Sequence, residues 1–318
     1  ILDLDGAATD LSTLSVSGTS NLGADVTTTS TQTYSGAVTL SANVDLTGTI
    51  VTTNGTVAGG SQNLTITGNA VFGNETADTV TGVAILNITG NTTINTNTIT
   101  TSSTQTYGDA TTDTIIIGTP TTLTTTNSQI TFSGTVNSEA SEANSLTLSV
   151  GSSEVQFNAV VGTETNGALG TIGITGALDL DAAIGSGATA GAAALTVSTA
   201  SNIGADVTTT NNQTYTGNAT ISNNITLTTT NSNVSFGGTT NAGTAGDTLT
   251  IAAGSGDVTF TGAVGGTTAM GNMTITTGAL SAAAMKVQGT IDITNTNTSS
   301  ITGILSDGAS SAIITKAG

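Results

Sequence analysis

Short apolar–polar–apolar triplets recur along this chain at intervals of roughly 20–26 residues. One series begins at Ile225, Leu249 and Met273, which are equally spaced, and a second contains Val234 and Val258 at the same spacing. Alternation with a period of two is typical of strands that bury one face. Because equivalent strands return after a nearly constant interval, each is expected to lie on its counterpart in the next coil. The pattern predicts an all-β fold, a parallel β-helix (β-solenoid) of roughly 20–26 residues per coil.

Longer similarities organise these coils into repeats. The segment NLGADVTTTSTQTYSGAVTL at 21–40 matches NIGADVTTTNNQTYTGNATI at 202–221, and TITTSSTQTYGDATTD at 98–113 is a diverged copy. Such matches indicate three long units within a single continuous solenoid that covers residues 1–318. The units span about 15–84, 85–176 and 195–272.

Residues 182–194, AAIGSGATAGAAA, interrupt the repeat. We consider three interpretations: a loop or irregular insertion bulging from one coil, a binding excursion, and a further irregular coil. Residues 279–287 are a short helix candidate and fit a strand-bearing coil equally well. The competing fold is a string of antiparallel β-sandwich domains of roughly 90 residues. The short inner rhythm, the single proline and the 3% aromatic content favour the solenoid.

The few aromatic residues stand at repeated places. All three tyrosines belong to a Gln-Thr-Tyr tripeptide, and four phenylalanines end triplets in matching segments. We predict that these residues mark recurrent coil positions where a ring stacks or closes a corner. A sugar-stacking platform made by the tyrosines is the alternative. The predicted markers are Tyr34, Tyr107, Tyr215, Phe132, Phe157, Phe236 and Phe260.

Composition excludes several classes of function. The net charge is −18, with two lysines and no arginine, so the chain lacks the cations that nucleic acid or an anionic membrane surface requires. It has no histidine or cysteine, which removes the usual nucleophile–base pairs and the usual zinc, copper and haem ligands. No apolar run reaches about 18 residues, so no transmembrane helix is expected. We expect a protein that is not an enzyme and carries no resident cofactor.

Two acidic pairs are the remaining candidates for chemistry. Asp3 and Asp5, and Asp179 and Asp181, each lie in an LDLD segment whose alternation directs both carboxylates outward. A solvated strand face is the simplest interpretation. The alternatives are weak calcium sites at these pairs or at Glu139 and Glu142, since calcium is bound by several oxygen ligands, and the carboxylate pair of a carbohydrate-active enzyme.

The repeat unit resembles a known class of proteins. The run from SxSG through QTYSGAVTL and VxFxGAVGGTTA to LTVSG is similar to the strand repeats of very large bacterial surface proteins, such as autotransporter passengers and filamentous-haemagglutinin-like proteins. The tail ITGILSDGASSAIITKAG at 301–318 resembles the autotransporter-associated β-strand repeat and stops where a further strand is expected, so we expect a longer parent chain. The resemblance implies a right-handed parallel β-helix in an extracellular or cell-surface location.

These features lead to one expected function and two alternatives. The first is a non-enzymatic structural component of a secreted or cell-surface bacterial fibre or surface layer, self-assembling end to end. Its partners would be other copies or other parts of a longer parent chain. The second is an adhesin stalk that binds a glycan or a cell-surface receptor. The third is a carbohydrate-active β-helix enzyme.

Overall fold

The structure, a computed structural model, describes residues 1–162, 167–187, 189–307 and 314–317. Every regular element in these ranges is a β-strand, and the strands pair in parallel in a β-solenoid of about 14 coils. The predicted fold is therefore confirmed. The chain divides into two compact units, Ile1–Ala159 and Val160–Gly318.

The first unit contains short strands that return to the same three faces in turn. They are β1 (Leu2–Leu4), β2 (Ala8–Leu11), β3 (Leu14–Val16), β4 (Ser20–Leu22), β5 (Val26–Thr28), β6 (Thr31–Tyr34), β7 (Val38–Leu40), β8 (Val44–Thr53), β9 (Val57–Ala58), β10 (Leu64–Phe72), β11 (Thr79–Val83), β12 (Leu86–Ile88), β13 (Thr92–Ile94), β14 (Thr98–Thr101), β15 (Gln105–Tyr107), β16 (Thr114–Ile117), β17 (Thr121–Thr124), β18 (Ile130–Phe132), β19 (Thr135–Ser138) and β20 (Leu146–Phe157).

Parallel pairing arranges these strands in three ladders, which we number by their first strand. Ladder 1 contains β1, β4, β7, β9, β11, β14, β17 and the first part of β20. Ladder 2 contains β2, β5, the first parts of β8 and β10, then β12, β15, β18 and the last part of β20. Ladder 3 contains β3, β6, the last parts of β8 and β10, then β13, β16 and β19.

The second unit is built in the same way. Its strands are β21 (Leu169–Leu180), β22 (Ala192–Val197), β23 (Ser201–Ile203), β24 (Val207–Thr209), β25 (Gln213–Tyr215), β26 (Ala219–Ile221), β27 (Ile225–Thr229), β28 (Val234–Phe236), β29 (Thr240–Ala242), β30 (Leu249–Ala252), β31 (Val258–Phe260), β32 (Met273–Thr277), β33 (Leu280–Ala282), β34 (Met285–Val287), β35 (Ile291–Asn295), β36 (Ser300–Ile301), β37 (Leu305–Asp307) and β38 (Ile314–Ala317).

Three further ladders result. Ladder 4 runs from an isolated bridge at Ile184 through β24, β27, β30, β32, β35 and β38. Ladder 5 contains the first part of β21, then β22, β25, β28, β31, β33 and β36. Ladder 6 contains the last part of β21, β23, β26 and β29, then the bridge residue Val264, β34 and β37.

The register confirms the spacing read from the sequence. Ile225 pairs with Leu249, and Leu249 with Met273, as their equal spacing predicts. Some coils are shorter than the lower limit of the predicted length range. The coil that separates Leu2 from its partner Ser20 is shorter than the predicted range. Corners of different length absorb much of this variation, and register shifts interrupt the pairings β2–β5, β8–β10 and β11–β14.

The core lies inside the coils. In most strands two buried residues flank a more exposed one, as the triplets predict, and the inward side chains are mostly Val, Ile, Leu or an aromatic residue. Each fully buried aliphatic or aromatic side chain contributes about 1.5–3 kcal/mol relative to an exposed one. Stacking of like residues in consecutive coils thus repeats the same stabilising contact along the unit.

Polar side chains close many of the corners. The backbone N–H of Asn233 donates to Asn212 Oδ1 at 3.0 Å, and that of Asp257 donates to Asn233 Oδ1 at 2.8 Å. The N–H of Ala279 continues the series by donating to Asp257 Oδ1 at 2.9 Å. Each of these three acceptors satisfies a donor one coil further on. This pairing explains why Asn and Asp are frequent between strands.

The structure now places segments 182–194 and 279–287. Ile184 is fully buried and bridges Val161 and Val207, and β22 begins at Ala192, so the first segment is largely an irregular coil with a small bulge bounded by Ser186 and Thr189. The second forms β33 and β34 rather than a helix. The tail at 301–318, which carries the autotransporter-like pattern, lies partly outside the described residues. Within the described ranges, no helix is long and apolar enough to cross a membrane.

Candidate functional site

The Gln-Thr-Tyr tripeptides form an internal hydrogen-bonded corner. In the second copy, the Tyr107 hydroxyl donates to Gln105 Oε1 at 2.9 Å. Gln105 Nε2 donates to the carbonyl oxygen of Thr124, one coil further on, at 2.9 Å and to Thr101 Oγ1 at 3.2 Å. Both Gln105 and Tyr107 are fully buried. A buried polar side chain is tolerated only when its donors and acceptors are satisfied, and this glutamine uses both ends.

All three copies share this geometry. In each, the glutamine Nε2 donates to the carbonyl of the residue six positions earlier, at 3.0 Å for Val26, 3.4 Å for Ile99 and 3.0 Å for Val207. The tyrosine hydroxyl always donates to the glutamine two residues earlier. A threonine four residues before the glutamine donates to a corner carbonyl in every copy; these residues are Thr28, Thr101 and Thr209.

The copies do not occupy one face of the solenoid. Tyr34 lies on β6 in ladder 3, where Val16 and Thr53 are its ladder partners. Tyr107 lies on β15 in ladder 2, between Ile88 and Phe132. The motif therefore closes two different corners of the first unit. This is feasible because its partners are supplied by its own corner and by the coil that follows.

The predicted aromatic markers form two stacks. Phe132 lies parallel to Tyr107 with ring centroids 5.3 Å apart, and to Phe157 at 5.0 Å. In the second unit Phe236 lies between Tyr215 at 5.0 Å and Phe260 at 4.9 Å. Each stack spans three consecutive coils. Such aromatic pairs add about 0.5–1.5 kcal/mol to the burial of the rings.

The tyrosines have no exposed surface. Desolvation by burial raises the pKa of Tyr34, Tyr107 and Tyr215 above the usual tyrosine range, so each phenol stays neutral and acts as a hydrogen-bond donor. Because all three rings are fully buried, they offer no platform to a sugar. Their role in the structure is to close and fill the coils.

Of the acidic pairs, Asp3 and Asp179 lie on strands β1 and β21, and Asp5 and Asp181 are exposed residues directly after the ends of those strands. Asp3 Oδ1 accepts a hydrogen bond from Asn21 Nδ2 at 2.7 Å, and Asp179 Oδ1 accepts one from Asn202 Nδ2, also at 2.7 Å. In both cases the asparagine is the ladder partner in the next coil. No group of three acidic side chains suited to a metal ion occurs in the described ranges. Calcium at Asp3, Asp5, Asp179 and Asp181 stays a prediction.

A surface cleft of about 340 Å³ lies on ladder 4 of the second unit. Its lining residues come from three successive coils: Gly187 from the first, Asp206 and Thr208 from the second, and Thr226 and Thr228 from the third. Asp206 and Thr208 flank the buried Val207, and Thr226 and Thr228 flank the buried Leu227, with which Val207 pairs. Asp206, just before β24, is exposed, and Thr226 and Thr228 on β27 are half-buried, whereas Thr208 on β24 is buried.

Gly187, next to the bridged pair Ser186 and Thr189, forms one wall of this cleft. Ser186 and Thr189 pair by reciprocal backbone hydrogen bonds of 2.9 Å in an isolated antiparallel bridge. Gly185 has φ +87°, and a Cβ there would lie 2.4 Å from the Thr189 carbonyl oxygen, so only glycine fits. The Gly187 carbonyl oxygen accepts a hydrogen bond of 2.9 Å from Thr208 Oγ1, which holds the wall against the floor.

Sequence reasoning missed several of these residues. It identified the tyrosines but not their glutamines, although the shared spacing Thr-x-x-x-Gln-x-Tyr in all three copies was a usable signal. It also passed over Phe72, which is fully buried in ladder 3. The sequence around Asp206 contains no such signal, because the cleft is formed by residues of three successive coils that are distant in sequence.

Comparison with known proteins gave no relative: no family model, no curated protein and no solved structure matches this chain.

Proposed function

We propose that this chain is a non-enzymatic structural protein, a solenoid segment of a secreted or cell-surface bacterial fibre or surface layer. The observation that carries the proposal is that the residues of the Gln-Thr-Tyr motif and the stacked phenylalanines pack inside the coils. Gln105 and Tyr107 are fully buried in a corner, and Phe132 stacks on Tyr107 in the next coil. The chain's few aromatic side chains thus strengthen the coils themselves, as expected where stiffness and resistance to proteolysis are the function.

The exterior supports the same proposal. Outward positions of the ladders are largely threonine and asparagine, as in Thr226, Thr250 and Thr274 along ladder 4. Carboxylates such as Asp257 are occupied as corner caps. Such a surface is hydrated and acidic, and it resists indiscriminate association through side chains.

End-to-end self-association is part of the proposal. A parallel coil presents backbone N–H and C=O groups along its stacking direction, and these groups can pair with another coil of the same spacing. A second copy of the chain, or another part of a longer parent chain, offers such coils.

Cryo-electron microscopy of the purified chain tests the assembly. We expect filaments in which a repeat of about 4.8 Å continues through each junction between copies. Antibodies against the chain should also label intact cells of the source organism without permeabilisation. Isolated particles at all concentrations would refute self-assembly, and labelling only after permeabilisation would refute the surface location.

An adhesin stalk is the second candidate. It is favoured by one specific observation, the polar cleft on ladder 4, because a purely structural coil has no need of a concave wall formed by Gly187. Binding of the purified chain to cells, lost when the cleft is altered, would favour this role over the structural one.

A further inference from the structure

We propose that the ladder 4 cleft, lined by Gly187, Asp206, Thr208, Thr226 and Thr228, is a binding site for the hydroxyl groups of a neutral glycan. This inference goes beyond the structural role, since a solenoid can be a fibre segment with or without a ligand site. Its volume of about 340 Å³ lies at the lower end of the usual range for small-ligand sites.

The floor of the cleft presents a fixed grid of oxygen atoms. Thr208 pairs with Thr228 across the two strands, and Asp206 lies beside Thr226, whose N–H donates to Asp206 Oδ1 at 2.7 Å. Adjacent strands are about 4.8 Å apart, and alternate residues along a strand about 6.7 Å apart. The oxygens therefore lie at distances that hydroxyl groups of one or two sugar rings can bridge.

Three of these residues, Asp206, Thr226 and Thr228, have hydrogen-bonding capacity to spare, whereas the Thr208 hydroxyl donates to the Gly187 carbonyl. Asp206 uses Oδ1 for the Thr226 N–H, and within the described ranges its Oδ2 has no protein partner. The hydroxyls of Thr226 and Thr228 likewise have no protein hydrogen bond among the described residues. A carboxylate fixed by one bond and free at its second oxygen is suited to accept from a sugar hydroxyl, and threonine hydroxyls can both donate and accept.

Charge selects the class of glycan. The chain has a net charge of −18, and Asp206 is the one ionisable group among the described lining residues. An acidic glycan such as a uronate polymer would be repelled. A single carboxylate is also too few for a calcium site, which takes six to eight oxygen ligands in typical proteins. The described lining residues include no large apolar side chain, which disfavours lipids and aromatic ligands.

The cleft opens onto a longer hydroxyl track, which favours an oligosaccharide over a single sugar. Thr226 pairs in register with Thr250, and Thr250 with Thr274, so one column of threonines continues over three coils. None of these pairings contains a register shift. A glycan chain lying along ladder 4 would thus meet a hydroxyl at each coil.

Titration of the full chain with neutral hexasaccharides tests the proposal. The probes are cellohexaose, xylohexaose, mannohexaose and laminarihexaose, with a galacturonate hexamer as the acidic comparison, followed by calorimetry and saturation-transfer NMR. We expect saturable binding of at least one neutral probe and weaker binding of the acidic one. Asp206→Ala and Thr228→Val should each weaken that binding about tenfold or more, because a hydrogen bond to a charged or buried group is lost.

Two matched controls separate the cleft from general damage. Asp257→Ala removes another carboxylate that caps an N–H in the next coil, at Ala279, but lies outside the cleft. Thr259→Val changes an outward threonine on ladder 5. Both should bind the glycan within about twofold of the unchanged chain.

The proposal is overturned if no neutral probe binds saturably. It is also overturned if Asp206→Ala and Asp257→Ala weaken binding equally while Thr228→Val has no effect. Neither result bears on the fibre proposal, which depends on filament formation, whereas loss of filaments with intact glycan binding would overturn that proposal alone.

Discussion

Replacing Gln105 by alanine tests whether the buried corner stabilises the coils. The change removes the two N–H donors of Nε2, which the Thr124 and Ile99 carbonyls and Thr101 Oγ1 share, and the acceptor Oε1 of the Tyr107 hydroxyl. The two N–H donors of Nε2 contribute about 1 kcal/mol net each, and the Tyr107 hydroxyl left buried without an acceptor costs about 1–3 kcal/mol. The expected loss of local stability is about 4 kcal/mol.

Native-state hydrogen exchange measures this loss where it occurs. Because a solenoid opens locally and not as one two-state unit, the free energy should be read from backbone amides of β15 and β18. A loss of about 4 kcal/mol corresponds to opening about a thousandfold more often. Amides of the second unit should keep their protection.

Two variants in the same tripeptide serve as comparisons. Thr106→Ala alters the outward middle residue and should cost less than about 1 kcal/mol. Tyr107→Phe keeps the ring contact with Phe132 but leaves Gln105 Oε1 without a donor, and should cost about 1–3 kcal/mol. If Gln105→Ala accelerates exchange no more than Thr106→Ala does, the corner bonds make no net contribution and the reasoning is refuted.

Three further outcomes are expected. Burial raises the pKa of all three tyrosines. The stability that the neutral phenols contribute is therefore fully present below the unfolded tyrosine pKa of about 10 and is lost as pH rises toward the folded values. Ultraviolet titration should show tyrosinate only together with unfolding, and tyrosinate in a chain with native circular dichroism would contradict this. Phe132→Ala should cost about 3–5 kcal/mol of local stability, because it empties the centre of a three-ring stack. Hydrogen exchange of the β15 and β18 amides measures the loss, and a cost below about 1 kcal/mol would contradict it. Gly185→Ala should destabilise its turn by about 1 kcal/mol or more, since φ is +87° and the new Cβ would meet the Thr189 carbonyl oxygen. The control Gly173→Ala, whose Cβ has open space, should not destabilise it. Hydrogen exchange of the Ile184 and Gly191 amides compares the two variants, and equal effects would contradict the prediction.

Much of the fold was accessible from the sequence. The pairs Ile225–Leu249 and Val234–Val258 were identified from spacing alone, and both are ladder partners. Spacing identifies the partners because every coil of a solenoid has the same packing requirement. Each triplet needs a buried face, and the residue that fills it in one coil must match the residue in the next.

The candidate site was much less accessible. The glutamine of each corner bonds to a carbonyl in the following coil, far from it in sequence, as Gln32 does to Thr47 and Gln105 to Thr124. Asp206 belongs to the cleft because its coil lies next to the coil that contains Gly187. Contacts of this kind depend on which coils are adjacent, and the strand pattern alone does not give them.

The sequence by itself determined the class of structure: short alternating strands, a nearly constant coil length and a core of aliphatic and aromatic columns. Only the tertiary structure decided which face each copy of Gln-Thr-Tyr occupies, with Tyr34 on ladder 3 and Tyr107 on ladder 2. The physical reason is that alternation fixes whether a side chain points in or out, while the lengths of the corners fix which of three faces it reaches. Corner length varies from coil to coil, so the face emerges only when the whole stack is built.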